Sequence, residues 1–169
     1  VVNSPIINEA AQKEIKLKHN LNNGRIITVL PGSRLDEIKR MSPIFNEVLI
    51  NINRIYPDAQ FILPVASAVE VNVINAVKYW GVKPLLLLND FKTPQEVEYD
   101  KFLSYSISSA ALATSGTVSL ELASQKCPMV VAYKASWITT RMVKKLAKID
   151  TANLINIITN SKIIPEHLF

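Results

Sequence analysis

The chain has 169 residues, which suits one domain with a real core, at most with short appendages. Hydrophobic residues make up 49% and charged residues 20%, which excludes a disordered chain, and no apolar run reaches the roughly 18 residues of a membrane-spanning helix. Lys and Arg outnumber Asp and Glu by 19 to 14, a net +5 that favours anionic partners: nucleotide phosphates, anionic lipid or nucleic acid.

Val1 to Glu14 lacks the basic and apolar regions of a signal peptide. Residues 1–23 read as a lead-in or interdomain segment before one domain at 24–169. Arg25 to Leu30 is a short β-branched run ending at Pro31-Gly32, which predicts a buried strand. Leu35 to Tyr56 follows with Ile38, Met41, Phe45, Leu49 and Ile52 at helical spacing, with some irregularity expected at Pro43. Ala59 to Val65 predicts a second strand, Ala68 to Trp80 a helix ended by Gly81, and Lys83 to Leu88 a third strand. A polar loop and a short helix over Glu96 to Ser104 come next. Ala110 to Ala113 is a strand of small residues, Thr117 to Ser124 a helix, and Pro128 to Tyr133 a fifth strand. Trp137 to Lys148 predicts a helix carrying Arg141, Lys144, Lys145 and Lys148, either a solvated face or a contact with anionic headgroups. Asn153 to Ile158 reads as a short strand or extended segment.

Two-sided apolar runs alternating with helical patterns predict βαβ units, a parallel sheet and a Rossmann-like, doubly wound α/β domain. Ligands of such sheets sit beyond the carboxyl ends of the strands, and two loops there carry chemistry. In Leu30-Pro31-Gly32-Ser33-Arg34, Gly32 permits a sharp turn, Ser33 opens a helix N-terminus, and Arg34 can hold phosphate oxygens bidentately. The alternative is an ordinary turn with a surface arginine. Asp36 and Glu37 suit the first helical turn, where Glu37 could brace Arg34. In the second loop Ser115, Gly116 and Thr117 offer amides and hydroxyls, and Glu121, one turn on, can accept from a ribose diol. The alternative is a capped helix with a helical glutamate. Asn156 could bond a base or ribose, or hold a turn.

Neither GxGxxG nor GxxxxGK[ST] occurs, so dinucleotide and P-loop readings are weak. No His/Cys/Asp/Glu cluster has metal-ligand spacing, which predicts no metal. The one cysteine, Cys127, allows no disulfide framework, as suits a reducing compartment, and reads as a buried structural thiol. His19 and His167, near opposite ends, give no support to a cysteine nucleophile. Tyr105, Tyr133 and Trp80 read as packing residues.

Leu30 to Arg40 (LPGSRLDEIKR) resembles the LPGSR-x-x-E-[VI] segment of lipid-A-disaccharide synthases. Ser115 to Ala123 (SGTVSLELA) resembles their SGT-A-[ST]-LE segment, and Pro128 to Ser136 (PMVVAYKAS) their PMVVAY-[RK]-x-S strand. Order and spacing agree from about Gly24 to the end. The resemblance implies the carboxy-terminal, donor-binding half of a glycosyltransferase-B architecture. It implies transfer of 2,3-diacylglucosamine from its UDP carrier to lipid X (2,3-diacylglucosamine 1-phosphate), giving lipid A disaccharide 1-phosphate and UDP. Carried over by position, Gly32, Ser33 and Arg34 face the diphosphate, Ser115, Gly116 and Thr117 complete the phosphate loop, and Glu121 holds the ribose. Asn156 matches the Asn of the family's PNL segment, with Ile155 where the family has Pro. Arg34 then stabilises the leaving diphosphate, no cofactor is needed, and the UDP-sugar is a substrate. The expected partners are the UDP-diacylglucosamine donor, the lipid X acceptor and an amino-terminal domain absent from this chain, which supplies the general base. Peripheral contact with the inner face of the bacterial inner membrane, self-association, and no role for nucleic acid complete that expectation. The fold also admits a UDP-N-acetylglucosamine 2-epimerase-like enzyme or a non-catalytic nucleotide-binding fragment.

Overall fold

The computed structural model describes residues 4–114, 116–134, 151 and 153–168. The helix expected over Trp137 to Lys148, with its cationic face, lies outside them.

The elements in chain order are α1 (Glu9–Lys18), β1 (Ile26–Leu30), α2 (Leu35–Ile55), β2 (Gln60–Pro64), a 3₁₀ turn (Ser67–Val69), α3 (Glu70–Val77) and β3 (Leu85–Leu87). Then come α4 (Pro94–Ser106), β4 (Ala110–Ala113), α5 (Val118–Ser124), β5 (Met129–Tyr133), α6 (Leu154–Thr159) and β6 (Glu166–Leu168). All pairings are parallel, in the order β3-β2-β1-β4-β5-β6. This is the doubly wound α/β order, and its topological switch point falls between β1 and β4.

The strands alternate by residue, as the pleat requires. On one face Val29, Leu63 and Leu112 meet the apolar stripes of α2 and α3, with Phe45, Leu49 and Val73 among them, and Trp80 just beyond α3. On the other, Ile26 and Ile62 pack with Ile15 of α1 and Leu103 of α4. Leu30, Ala111 and Ala113 pack there with Phe102, Tyr105, Leu122 and Cys127. Pro43 sits on the exposed side of α2, which runs through it unbroken. On that side the missing donor and the proline ring disturb no packing.

The structure adds to expectation or departs from it in three places. The lead-in holds a helix, α1, capped by the Asn8 side chain, which accepts from the Ala11 amide at 2.9 Å. Its Ile15 is buried in the same core as β1 and β2. The segment expected to be extended at Asn153 to Ile158 is helical. Asn153 caps α6 by accepting from the Ile155 amide at 2.8 Å, and Asn160 ends it in the left-handed conformation. A β-branched run favours strand on intrinsic grounds, but a capping side chain and docking decide for helix. The sheet has a sixth strand, β6, where Val131 pairs with Glu166. Its three residues are too few and too polar to announce a strand.

Cys127 is buried, and burial pushes its thiol up to about 11. A group whose folded pKa is raised contributes stability fully below its unfolded pKa and loses it as pH climbs to the folded value. The native chain should therefore lose stability between about pH 9 and 11, where the unfolded thiol ionises and the native one does not. Cys127→Ala should flatten that part of the urea-midpoint profile relative to the parent. Equal slopes in the two proteins would rule out this contribution.

Candidate functional site

The loop after β1 turns at Gly32, whose φ of +128° is a conformation that L side chains rarely adopt. An added Cβ would lie 2.6 Å from the Cβ of Glu37 and 2.8 Å from its Oε2. That closeness puts the Glu37 carboxylate over the loop. Its Oε2 accepts from the Ser33 amide at 3.1 Å, and its Oε1 lies 3.7 Å from Arg34 Nη1. An amide and a guanidinium at the start of α2 thus already face an anionic oxygen, as helix N-termini favour. Arg34 remains largely exposed, its side chain at 83%, and free to turn to a ligand.

The loop after β4 is tied to the first one: Thr114, buried, donates its amide to the Leu30 carbonyl at 3.0 Å. Gly116 has φ +143°, and nothing lies within 4 Å of where its Cβ would be, so open space adjoins the backbone there. Thr117 is exposed, and Ser119 bonds back to the Gly116 carbonyl at 2.8 Å. Ser115 lies outside the described residues.

Both loops open on a cavity of about 570 Å³ at the carboxyl edge of β1 to β4. Gly32, Ser33, Arg34, Gly116, Thr117 and Glu121 all line it. Asn156 does not. It is buried, its Nδ2 donating to the Ile164 carbonyl at 2.9 Å and to Glu166 Oε1 at 2.6 Å, while its Oδ1 accepts from the Ile164 amide at 2.9 Å. Those bonds fasten α6 to the segment entering β6.

The far wall, β3 to α4, carries residues that sequence reading passed over. Lys92 donates to the Leu88 carbonyl at 2.8 Å and pairs with Asp100 at 2.9 Å. Asn89 is held by Val65 and Glu70, which fixes the turn out of β3. Thr93 and Glu96 form a capping box that starts α4. On α4, Lys101 lies 3.1 Å from Glu121 Oε2, and the Tyr105 hydroxyl donates to the same oxygen at 3.4 Å. Burial, with the Glu121 charge behind it, holds the Tyr105 phenol well above its ordinary range, so it stays a donor. Only the four-residue spacing of Lys101 and Tyr105 was visible in the sequence. Nothing local says that α4 leans over Glu121, sixteen residues beyond Tyr105.

The strand order and the cavity at its switch point define a Rossmann-like, doubly wound domain of the kind that forms one half of a glycosyltransferase-B architecture. The glycosyl transferase family 9 protein of Veillonella parvula DSM 2008 shares the fold, with a TM-score of 0.60 at 15% identity over 88% of this chain and 47% of that one. Residues 4–169 match the family described as lipid-A-disaccharide synthetase. A lipid-A-disaccharide synthase of Ruegeria pomeroyi is 33% identical over 168 residues, which is 99% of this chain and 42% of that protein. A probable mitochondrial lipid-A-disaccharide synthase of Arabidopsis thaliana is 34% identical over 186 residues, 99% of this chain and 39% of that protein. The chain belongs to the lipid-A-disaccharide synthase family. It spans about two fifths of the length of the curated relatives it matches. No described helix is long and apolar enough to cross a membrane.

Proposed function

We propose that this chain provides the UDP-sugar site for transfer of 2,3-diacylglucosamine from UDP to lipid X. The observation that carries the reading is the convergence of two glycine loops, both at positive φ, with Glu121 on one cavity at the switch point. The diphosphate lies along the Gly32 and Gly116 loops, whose backbones a ligand can approach closely. Glu121 receives the ribose hydroxyls. As the glycosidic bond to UDP breaks, negative charge grows on the diphosphate, and Arg34 swings from Glu37 to meet it. A cation brought against the leaving group in this way stabilises the transition state electrostatically. The acceptor and the general base that takes its proton belong, on this reading, to the part of the family's proteins that this chain does not span.

Isothermal titration with UDP tests it. The parent chain binds, and Arg34→Ala and Glu121→Gln each weaken binding by about 1–3 kcal/mol, the scale of a lost hydrogen bond to a charged group. A folded chain that ignores UDP, or variants that bind as the parent does, would sink the assignment.

A further inference from the structure

Two groups of α4 converge on a single oxygen of Glu121, the Lys101 ammonium at 3.1 Å and the Tyr105 hydroxyl at 3.4 Å from Oε2. They stand one helical turn apart, so both reach the same side of α4, and both line the cavity with Glu121. Tyr105 is 1% exposed, and its ring meets Phe102 edge-on at 5.8 Å, so its hydroxyl is delivered from a fixed place. Glu121 Oε1 has no hydrogen-bond or ion-pair partner among the described residues.

A carboxylate left to itself rotates and offers four lone-pair sites without preference. Here one oxygen is held by a cation and a neutral donor, which fixes the rotation of the group. The other oxygen is left to a ligand. A vicinal diol presents two O–H donors side by side and can satisfy that oxygen. A ligand without hydroxyls leaves it unpaired, which is how sites built around hydrogen bonds reject their deoxy analogues. A salt bridge serving only to join α4 to α5 has no need of a half-used carboxylate on a cavity wall.

We infer that Lys101 and Tyr105 are positioning residues which, through Glu121, make this site select nucleotides that carry an intact ribose diol. The inference rests on the nucleotide reading above and adds what sets its selectivity. It is tested by titrating the chain with UDP and with 2′,3′-dideoxy-UDP, for the parent, Tyr105→Phe, Lys101→Met and Lys101→Arg. The parent should prefer UDP by roughly ten- to a hundredfold, the value of hydrogen bonds to a charged acceptor. Tyr105→Phe and Lys101→Met should cut that preference several-fold by weakening UDP alone, and Lys101→Arg, which keeps the cation, should restore most of it. If Tyr105→Phe and Lys101→Met weaken both ligands alike, the two residues merely support the fold and the inference falls. If the parent binds both ligands equally, it falls together with the ribose contact to Glu121, while the diphosphate part of the nucleotide reading stands. If the folded parent binds neither, both readings fall together.

Discussion

Phe45→Ala should lower the unfolding free energy by about 3–5 kcal/mol, the range for removing a buried aromatic and leaving a cavity. Phe45 is 0% exposed at the middle of α2, among Met41, Leu49 and the inward residues of β1 and β2. Domains of this kind are stable by only about 5–15 kcal/mol in all, so this one side chain carries a large share. Ile55 ends the same helix with 65% of its surface exposed, and Ile55→Ala should stay within about 0.5 kcal/mol of the parent. Urea titrations of both variants check this, with the midpoint moving and the slope unchanged. Equal losses at the two positions would show that α2 does not anchor the core. The consequence reaches the cavity, because α2 begins at the Gly32 loop and its packing fixes where that loop sits.

The parts of this fold that are legible in the sequence are those whose pattern is long or chemically pointed. The stripe Ile38, Met41, Phe45 and Leu49 spans several turns, so α2 could be read with its buried face. The run Arg25 to Leu30 before Pro-Gly, and the small strand Ala110 to Ala113 before Ser-Gly, mark β1 and β4 together with the loops that open on the cavity. Glu121 follows by helical spacing. What escapes is whatever depends on neighbours distant in the chain. β6 is a strand only because β5 offers it an edge, and α6 is helical because Asn153 caps it. α1 is part of the body because Ile15 finds a place beside Ile26 and Ile62. Lys101 and Tyr105 enter the site only once the sheet order sets α4 against α5. Tyr105 was expected to pack, and it does, but the same burial that makes it a packing residue also holds its hydroxyl on Glu121. Glu37 shows the limit from the other direction. Its place as a helix-start acid is readable, whereas its hold on the Ser33 amide comes from the bare α-carbon of Gly32.

That bare α-carbon makes Gly32→Ala the most damaging small change expected at the cavity. Gly32 and Gly116 share a positive φ, so alanine at either strains the backbone by about 1–3 kcal/mol. Their surroundings differ. A Cβ on Gly116 meets nothing within 4 Å, whereas one on Gly32 falls 2.6 Å from the Glu37 Cβ, an atom fixed to the first turn of α2. The Glu37 carboxylate can swing away, but its Cβ moves only if the helix start moves, and overpacking of that kind costs about another 1–3 kcal/mol. Gly32→Ala should therefore melt clearly below Gly116→Ala and lose its affinity for UDP with α2 displaced. Gly116→Ala should keep most of its stability, because only the strain term applies. Paired thermal melts and UDP titrations of the two variants decide it. If the two melt together, contact with Glu37 has no part in fixing the loop, and the Ser33 amide is held by the backbone turn alone.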